Sequence, residues 1–322
     1  MKSVLVKKYG DPSVMKLEEV EIPKIQKDEV LVKNSAIGVN FFDILFRRGQ
    51  FILSEMPANI GMEACGIVEK IGDDVMGIKV GDRVAYATTG VGSYCEKKAV
   101  NQRHIITIPN NISDVEVAGT LFKGIAAHAL LHRVYLAVRA QKIIIHSAAG
   151  GLGSIMTSLA KNLNIEVIGT VGDDRKAAFA QISGCDHVIN YNKSDIVAEV
   201  MKITNNQGVG IVYDGIGKNS IDKSLKCLKP MGICISHGDA AGTPENIDFN
   251  LLTARSLYLS RPIINYYKAS RPELVLTANE IFAAISKKII KPQIKVYNFN
   301  EFTRAHQALE SRASIGSIVL KL

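Results

Sequence analysis

The feature that most constrains the fold is a glycine-rich turn in the middle of the chain, placed between an apolar run and an amphipathic segment. The strand-length run Lys142–His146 leads into Ser147-Ala148-Ala149-Gly150-Gly151-Leu152-Gly153, and a helix is predicted over Ser154–Leu163. Ala148, Gly150 and Gly153 occupy the glycine positions of the G-x-G-x-x-G pattern, in which the second lets the backbone approach a pyrophosphate and the third lets helix and strand pack closely. The turn therefore predicts a dinucleotide site at a helix N-terminus; a tight strand-to-helix turn without a ligand is the alternative.

Strand-length apolar runs alternate with amphipathic segments from Lys142 to about Leu259. The runs are Lys142–His146, Glu166–Val171, His187–Ile189, Ile211–Tyr213 and Gly232–Ser236. Nearly continuous apolar strands separated by helices are typical of a parallel sheet covered on both faces. The predicted fold class is α/β, with a doubly wound parallel sheet in this region.

The residues on either side of this region follow a different pattern. From Met1 to about Val100, short apolar runs separated by turn signals predict a mostly-β region. Ser113–Glu116 resembles a capping box and begins a helical run to Val138, and a domain boundary is predicted within this run. The C-terminal residues predict helices over Pro272–Lys288 and Phe302–Glu310 and strands over Val296–Phe299 and Gly316–Leu320.

The residues after the second strand of the parallel sheet bear on which dinucleotide is bound. Enzymes that use NAD usually have an acidic residue at the end of this strand, which accepts hydrogen bonds from the ribose 2′-hydroxyl. Here the strand ends at Val171, and Gly172-Asp173-Asp174-Arg175-Lys176 follows. Because Arg175 and Lys176 can pair with a 2′-phosphate, NADPH is predicted. The alternative is a solvated helix N-terminus that the aspartates cap, with the cations pointing away.

Composition excludes several classes of protein and leaves a basic globular chain. The 322 residues are 47% hydrophobic and 22% charged, which is ordinary for a globular protein of about two domains. The formal net charge of +8 permits polyanionic partners such as nucleic acid, anionic lipid or a phosphorylated cofactor. The five cysteines are scattered, with no C-x-x-C pair, so we expect no disulfide framework and a reducing, cytoplasmic location. No signal peptide and no membrane span are expected.

Metal and hydrolase motifs do not account for a catalytic chemistry. A catalytic zinc needs three protein ligands from Cys, His or carboxylate, and the candidate segments Val39–Asp43 and Gly61–Gly66 lack a Cys and a His at ligand spacing. Cys65 is expected to pack as a small buried apolar residue. The chain has no G-x-S-x-G, H-E-x-x-H or P-loop motif. We therefore expect no metal and a cofactor that supplies the chemistry.

Six motifs in order along the chain resemble one family. They are Gly38–Asp43, Gly61–Val68, Gly81–Tyr86, Ala148–Gly153, Val188–Tyr191 and Glu310–Ala313. Together they resemble the NADPH:quinone oxidoreductases, the zeta-crystallin-like, zinc-free branch of the medium-chain dehydrogenases/reductases. The resemblance implies a GroES-like, mostly-β catalytic domain over residues 1–124 and 262–322, interrupted by a Rossmann NADPH-binding domain over residues 125–261.

The resemblance also implies roles for particular residues. Asn40 and Met62 match a Cys and a His zinc ligand of the zinc-dependent relatives, and Asn40 is expected beside the nicotinamide ring. Lys176 and Tyr191 match positions around the 2′-phosphate, and Arg312 matches an arginine that helps enclose the cofactor. His237 and Gly238, after a Rossmann strand, match a segment that contacts the nicotinamide half. The expected cofactor site is completed by Ala148, Gly150, Gly151, Leu152, Gly153, Gly172 and Arg175.

The implied activity is transfer of a hydride from NADPH to a quinone or a similar conjugated, electron-poor carbonyl, with no covalent step. Asn40 is the candidate catalytic residue, which orients the nicotinamide or a substrate oxygen; a helix-start role is the alternative. Asp43 and Arg47 have the spacing of a surface ion pair on a helix. Leu45 stands where a tyrosine is common in the family, so one aromatic wall of the active site is expected to be missing.

Two other functions and one assembly are also compatible with the sequence. The same fold supports reduction of an activated C=C bond in an enal, enone or enoyl thioester. The stretch from Arg255 to Lys295 is rich in Lys and Arg, with Tyr258, Tyr266 and Tyr267 among them, which is compatible with RNA binding without turnover or with a solvated surface. Ser256–Leu259 is predicted as the edge strand of the Rossmann sheet, where the family pairs two subunits, so a homodimer is expected.

Overall fold

The computed structural model describes residues 1–87, 89–264 and 270–322, without the side chain of Arg139. The chain divides into two compact units. The first comprises Met1–Ile125, Ala269–Lys288 and Pro292–Leu322, and the second comprises Ala126–Lys268 and Ile289–Lys291. Of the basic stretch singled out in the sequence, Tyr266, Tyr267 and Lys268 lie outside the described residues.

The N-terminal part of the first unit is mostly β, as predicted. Its elements are β1 (Lys2–Val6), β2 (Met15–Glu19), β3 (Glu29–Val39), α1 (Phe41–Arg48), β4 (Ala58–Asn59), β5 (Glu63–Ile71), β6 (Arg83–Ala87), β7 (Lys97–Asn101), β8 (Ile106–Thr107) and α2 (Asp114–Ala129). The long β3 pairs antiparallel with both β5 and β7. Asn40 precedes α1 as its N-cap residue, and Gly49, with a φ of 76°, ends the helix in the left-handed conformation that glycine favours. The predicted capping box of α2 is confirmed, because Glu116 N–H and the Ser113 hydroxyl, and Ser113 N–H and the Glu116 carboxylate, are paired.

The second unit alternates strands with helices. Its elements are β9 (Lys142–His146), α3 (Gly151–Asn162), β10 (Glu166–Val171), α4 (Asp174–Ile182), β11 (His187–Asn190), α5 (Ile196–Ile203), β12 (Val209–Asp214), α6 (Ile221–Lys226), β13 (Leu228–Ser236), α7 (Phe249–Arg255) and β14 (Tyr258–Ser260). The strands are parallel, in the order β11-β10-β9-β12-β13-β14. This is the 3-2-1-4-5-6 order of a doubly wound dinucleotide-binding sheet, with its switch point between β9 and β12. The predicted Rossmann sheet is therefore confirmed.

The helix after the glycine turn begins earlier than the sequence predicts. We expected it to begin at Ser154, whereas α3 begins at Gly151, so Gly151, Leu152 and Gly153 form its first turn. Gly150 is the extended N-cap residue, with a φ of −78° and a ψ of 170°. The low intrinsic helix propensity of glycine favours the later start, but tertiary packing overrides so weak a preference.

The C-terminal elements return to the first unit and complete its larger sheet. They are α8 (Arg271–Ser286), β15 (Ile294–Asn298), α9 (Phe302–Glu310) and β16 (Ser317–Lys321). β16 pairs antiparallel with β3 and parallel with β15, which gives the sheet order β15-β16-β3-β5-β6-β8, with β7 also on β3. The core of this unit includes Ile37, Val68, Tyr86, Phe302 and Ile318. The second unit is thus inserted between β8 and the C-terminal strands of the first.

The cysteines are separate and buried. Cys65, Cys95, Cys185, Cys227 and Cys234 all have free thiols. Cys65 is fully buried, as expected for a residue that packs as a small apolar side chain, and burial raises the pKa of its thiol far above the usual value. None of the helices in the described ranges combines the length and the apolar character that crossing a bilayer requires.

Candidate active site

The glycine turn joins β9 to α3 at the carboxyl edge of the parallel sheet. Ser147 has a φ of 55°, and its carbonyl accepts a hydrogen bond from Gly150 N–H at 2.9 Å. A Cβ on Gly153 would lie 2.3 Å from the same carbonyl oxygen, which leaves no room for a side chain. Among the described residues no side chain caps α3, and its first turn holds no carboxylate. Its first backbone N–H groups can therefore receive an anion such as a pyrophosphate.

Gly172 and Tyr191 meet where β10 and β11 end. Tyr191 N–H donates to Val171 O at 3.0 Å, and a Cβ on Gly172 would lie only 2.6 Å from the Tyr191 hydroxyl oxygen. Lys176 lies in the first turn of α4, the helix that follows Gly172. The residues predicted around a 2′-phosphate therefore follow the carboxyl ends of β10 and β11. The glycine turn follows the carboxyl end of β9, at the same edge of the sheet.

The two aspartates of this edge are already engaged within the chain. Asp173 caps α4 by accepting Lys176 N–H at 2.8 Å, so the capping role that the sequence offered as an alternative is confirmed for Asp173. Asp174 accepts Lys193 Nζ at 2.6 Å, and the hydrogen bonds from Lys193 and Asn190 lower the pKa of Asp174. Lys193 is a cation of this edge that sequence reasoning missed. With Lys193 beside Asp174, these acids are less repulsive to a phosphate than their sequence suggests.

A buried carboxylate, Asp214, ends β12 beside the switch point. Ser220 Oγ and Ser224 Oγ donate to it at 2.8 and 2.6 Å, Ser224 Oγ lies 2.9 Å from His146 Nε2, and His146 Nδ1 lies 2.8 Å from Thr170 Oγ1. Because Ser224 gives its only hydroxyl hydrogen to Asp214, His146 must donate from Nε2 and accept at Nδ1. Burial lowers the pKa of His146, consistent with this neutral form. Burial acts to raise the pKa of Asp214, but the hydrogen bonds from Ser224, Gly217 and Ser220 leave it below its usual value.

This network was not predicted, because its members are single polar residues at the ends of separate strands. His146 ends β9, Thr170 is the penultimate residue of β10, and Asp214 ends β12. The only signal in the sequence is a polar residue that closes an apolar run. The network fastens the carboxyl ends of three neighbouring strands beneath the predicted cofactor site, so it can hold that edge rigid.

His237 directly follows β13 at the same sheet edge. Its N–H donates to Asp214 O at 2.8 Å, and its ring lies against Gly215, where a Cβ would be 2.7 Å from His237 Cε1. Burial lowers the pKa of His237 to about 4, so the ring is neutral at pH 7. Nε2 is buried and has no hydrogen-bond partner within the described part of the chain. Because buried polar atoms are normally paired, this nitrogen fits a site completed by a polar group of a ligand, and Gly238 continues the same segment.

Asn40, between β3 and α1 in the first unit, is held at both its backbone and its side chain. Its N–H donates to Asp43 Oδ2 at 2.8 Å, and its Nδ2 donates to Glu63 Oε1 at 2.9 Å. Glu63 is buried and in turn accepts Phe122 N–H at 2.8 Å, with Lys123 Nζ 3.4 Å from Oε1. Asn40 is therefore both a helix-start residue and the centre of a buried polar cluster.

The predicted surface ion pair between Asp43 and Arg47 is wrong. Both side chains are fully buried, and Arg47 pairs instead with Glu310 at the end of α9. Tyr94 bridges the two sides, since its hydroxyl lies 3.0 Å from Asp43 Oδ2 and 3.0 Å from His306 Nε2, while His306 Nδ1 lies 3.2 Å from Arg47 Nη1. Burial raises the pKa of Asp43 to about 7, and burial together with Arg47 lowers the pKa of His306 to about 3. The spacing suits a pair on an exposed helix face, but here the packing of α9 supplies other partners.

Aromatic rings cluster around Phe42, two residues after Asn40 in the sequence. Phe42 stacks on Phe51 with ring centroids 5.5 Å apart, and Phe122 meets Phe42 edge-on at 6.0 Å. Phe42 and Phe51 are both exposed. A missing aromatic wall was expected at Leu45, but these phenylalanines give the surface an aromatic character that the sequence analysis did not foresee.

The last of the predicted cofactor residues, Arg312, lies in the first unit. Arg312 follows α9 on the surface, with a φ of 55°. Within the described ranges no three His, Cys, Asp or Glu side chains are grouped so that they could hold a metal ion. The two residues that the resemblance matches to zinc ligands, Asn40 and Met62, carry an amide and a thioether.

Comparisons with known proteins agree with this architecture. Residues 26–144 match the family model described as alcohol dehydrogenase GroES-like domain, and residues 151–278 match the one described as zinc-binding dehydrogenase. The chain is 37% identical to a quinone oxidoreductase of Salmonella typhimurium, over 97% of each chain. It is 35% identical to a 2-haloacrylate reductase of a Burkholderia species, over 99% of this chain and 98% of the relative. Its structure superposes on that of Escherichia coli quinone oxidoreductase complexed with NADPH with a TM-score of 0.96, 34% identity and full coverage of both chains.

Proposed function

The chain belongs to the quinone oxidoreductase family of the medium-chain dehydrogenases/reductases, and from this premise we propose that it is an enzyme that reduces a quinone with NADPH and without a metal ion. The observation that carries the proposal is the sheet edge of the second unit. There the uncapped N-terminus of α3, the Gly172–Tyr191 contact and the first turn of α4 occupy neighbouring strand ends, in the strand order of a dinucleotide-binding sheet. This edge can hold the pyrophosphate and the 2′-phosphate of the same molecule.

The cofactor contacts are proposed residue by residue. The pyrophosphate lies on the turn formed by Ala148, Gly150, Gly151, Leu152 and Gly153. Gly172, Arg175, Lys176 and Tyr191 surround the 2′-phosphate. His237, through its buried Nε2, and Gly238 contact the nicotinamide half, Asn40 contacts the nicotinamide itself, and Arg312 helps enclose the cofactor. Bound NADPH supplies the hydride, and the protein positions and desolvates the reactants.

The substrate proposal rests on the surface beside Asn40. The exposed rings of Phe42 and Phe51 offer an apolar, aromatic face, and planar conjugated rings stack favourably on such a face. The second N–H of the Asn40 amide can donate to a carbonyl oxygen of a quinone placed there. The hydride and one proton from water convert the quinone to its hydroquinone, so no buried acid is required.

Steady-state kinetics test the proposal. We expect oxidation of NADPH, followed by its absorbance, with 1,4-benzoquinone and with larger quinones, and a much lower kcat/KM with NADH. Lys176→Met should lose this preference for NADPH. Lys161→Met is its matched control, because Lys161 is a cation on α3 that pairs with Asp186 away from the 2′-phosphate residues. If no quinone is reduced while NADPH binds, the proposed substrate class is wrong.

A second candidate is the reduction of an activated C=C bond. The observation that favours it is the full-length similarity to the 2-haloacrylate reductase. The same hydride donor can attack the β-carbon of an enone or a haloacrylate, and water can then protonate the α-carbon. Product analysis with one enone and one quinone separates the two candidates, since saturated ketone is formed only if the C=C bond is the acceptor.

We further propose a cytoplasmic homodimer. The support for the location is the set of five buried, unpaired cysteines, which suits a reducing compartment. The support for the dimer is β14, which ends the parallel sheet and pairs only with β13 within the described residues. Its Tyr258 is exposed, and such an edge can pair with its equivalent in a second subunit. Light scattering in solution tests the dimer, and a monomeric mass at micromolar concentration contradicts it.

A further inference from the structure

We propose that Glu63 is a positioning residue that fixes which way the Asn40 carboxamide faces, with Lys123 as its counter-ion. The proposal rests on the proposed function, because it assumes that Asn40 contacts the nicotinamide. It adds a reason why the amide presents one defined end to the cofactor.

The chemistry of the contact sets the orientation. Asn40 Nδ2 donates to Glu63 Oε1 at 2.9 Å, and the two side chains are only 4% and 1% exposed. A carboxylate can only accept hydrogen bonds, whereas an amide has a donor end and an acceptor end. The NH2 group of Asn40 must therefore face Glu63, and its carbonyl oxygen is turned the other way.

Three neighbours keep Glu63 in place. Its Oε2 accepts the backbone N–H of Phe122 at 2.8 Å, and Lys123 Nζ, on an 11% exposed side chain, lies 3.4 Å from Oε1. Gly38 makes room for the carboxylate, since a Cβ there would lie 2.3 Å from Glu63 Oε1. Residues of β3 and α2 thus enclose the carboxylate. If the Asn40 amide rotates, Glu63 cannot move with it to keep the hydrogen bond.

A purely structural role is the competing explanation, in which the Glu63–Lys123 ion pair only fastens β5 to α2. Glu63→Gln separates the two explanations because it keeps the shape and changes the pattern of donors. Phe122 N–H still requires an acceptor, so the Gln oxygen takes the place of Oε2 and the new NH2 faces Asn40. Asn40 can then pair only by turning its own oxygen toward residue 63. The substitution is combined with Lys123→Met, so that no buried ammonium is left without its carboxylate.

The first measurement needs no turnover. Side-chain amide NMR of the cofactor-free protein, with Asn40 assigned through Asn40→Ala, should show a large change of the Asn40 NH2 resonances in E63Q/K123M. Titration with NADPH should then show binding with an altered nicotinamide fluorescence. With a quinone as acceptor, we expect kcat to fall about 100-fold, as for a misplaced reactive group, while KM for NADPH changes by less than about threefold.

Glu69→Gln combined with Lys97→Met is the matched control. Glu69 lies on the same strand, β5, and pairs with Lys97 at 2.8 Å, away from Asn40. This control should leave both the Asn40 resonances and kcat unchanged. Glu63→Asp is the conservative rescue, because it keeps an acceptor-only group. It should retain the NH2 orientation with a shifted resonance and lose only about tenfold in kcat.

Two results overturn the proposal. One is a fall of kcat in E63Q/K123M without any change of the Asn40 NH2 resonances. The other, which decides if that double variant does not fold, is a Glu63→Asp protein in which the Asn40 NH2 resonances no longer show the hydrogen bond while kcat equals that of the wild type. Failure of the proposed function looks different: the wild-type protein then reduces no quinone, while the effects of Glu63→Gln on the amide resonances remain measurable.

Discussion

Replacing Asp43 by Asn should stabilise the protein more and more as the pH rises. Asp43 is fully buried in α1, where Oδ2 accepts Asn40 N–H at 2.8 Å and Tyr94 O–H at 3.0 Å. Oδ1 is buried without a hydrogen-bond partner in the described part of the chain. Asn has nearly the same shape, its oxygen can keep both hydrogen bonds, and its NH2 takes the place of Oδ1. The variant therefore mimics the protonated carboxyl group and never ionises.

The magnitude follows from the pKa of this one group. Burial raises the pKa of Asp43 from 3.8 to about 7, so between these values the unfolded chain has lost a proton that the folded chain keeps. The stability of the wild-type protein therefore falls with rising pH by about 1.4 kcal/mol per unit over this range, or about 4 kcal/mol in total. The stabilisation is fully present below pH 3.8 and lost above pH 7. Groups that titrate alike in both proteins cancel in the difference between Asp43→Asn and wild type.

Urea unfolding between pH 4 and pH 8 measures this difference. The chain has no tryptophan, so far-UV circular dichroism is the suitable signal, and carbon-13 NMR of the Asp43 carboxyl group gives its pKa directly. Asp73→Asn, in the exposed turn after β5, controls for the loss of one negative charge and should show no such trend. A difference that stays flat with pH, or that favours the wild type at pH 8, would refute the reasoning from burial.

Four further outcomes follow from the described contacts. Gly153→Ala should cost about 1–3 kcal/mol of stability by overpacking against Ser147 O. The Cβ of Gly150→Ala would lie 3.2 Å from that oxygen, so this variant should keep the melting temperature and weaken NADPH binding in a fluorescence titration. Lys176→Met should raise the Kd for NADPH at least about tenfold, the worth of one charged hydrogen bond, and leave the Kd for NADH unchanged. Asp214→Asn should destabilise the protein more at pH 7 than at pH 3 in thermal unfolding, because a carboxyl with a lowered pKa stabilises the fold above its unfolded pKa and ceases to do so as the pH falls. Tyr258→Lys should convert the proposed dimer to a monomer in light scattering, and a dimer that persists would place the interface elsewhere.

The sequence predicts best those elements whose signal is local. The bounds of β9, β10 and α9 agree with the predicted strands Lys142–His146 and Glu166–Val171 and helix Phe302–Glu310, because continuous apolar strands and a clear amphipathic period identify them without tertiary information. The dinucleotide turn is recognisable for the same reason, although the start of α3 is displaced. Sequence spacing fails where a charge is buried. Asp43 and Arg47 have the spacing of a surface pair, and nothing near them shows that Glu310, 263 residues away from Arg47, completes the site.

The cluster around Asn40 shows why such sites resist prediction from sequence, and what they can do. Two buried carboxylates hold Asn40, and the protein offsets their charge in different ways. Glu63 is beside the Lys123 ammonium, whereas Asp43 keeps its proton up to about pH 7. A divalent cation at Asn40 would have to compete with Lys123 for Glu63. The ligands matched to zinc ligands would be only the Asn40 amide and the Met62 thioether, and thiolate and imidazole are far better ligands for zinc. Removing Lys123 alone should therefore leave Glu63 dependent on its hydrogen bonds from Asn40 and Phe122. Lys123→Met should unfold at a lower urea concentration than the wild type at pH 7, and a Glu63→Gln substitution added to it should restore that stability.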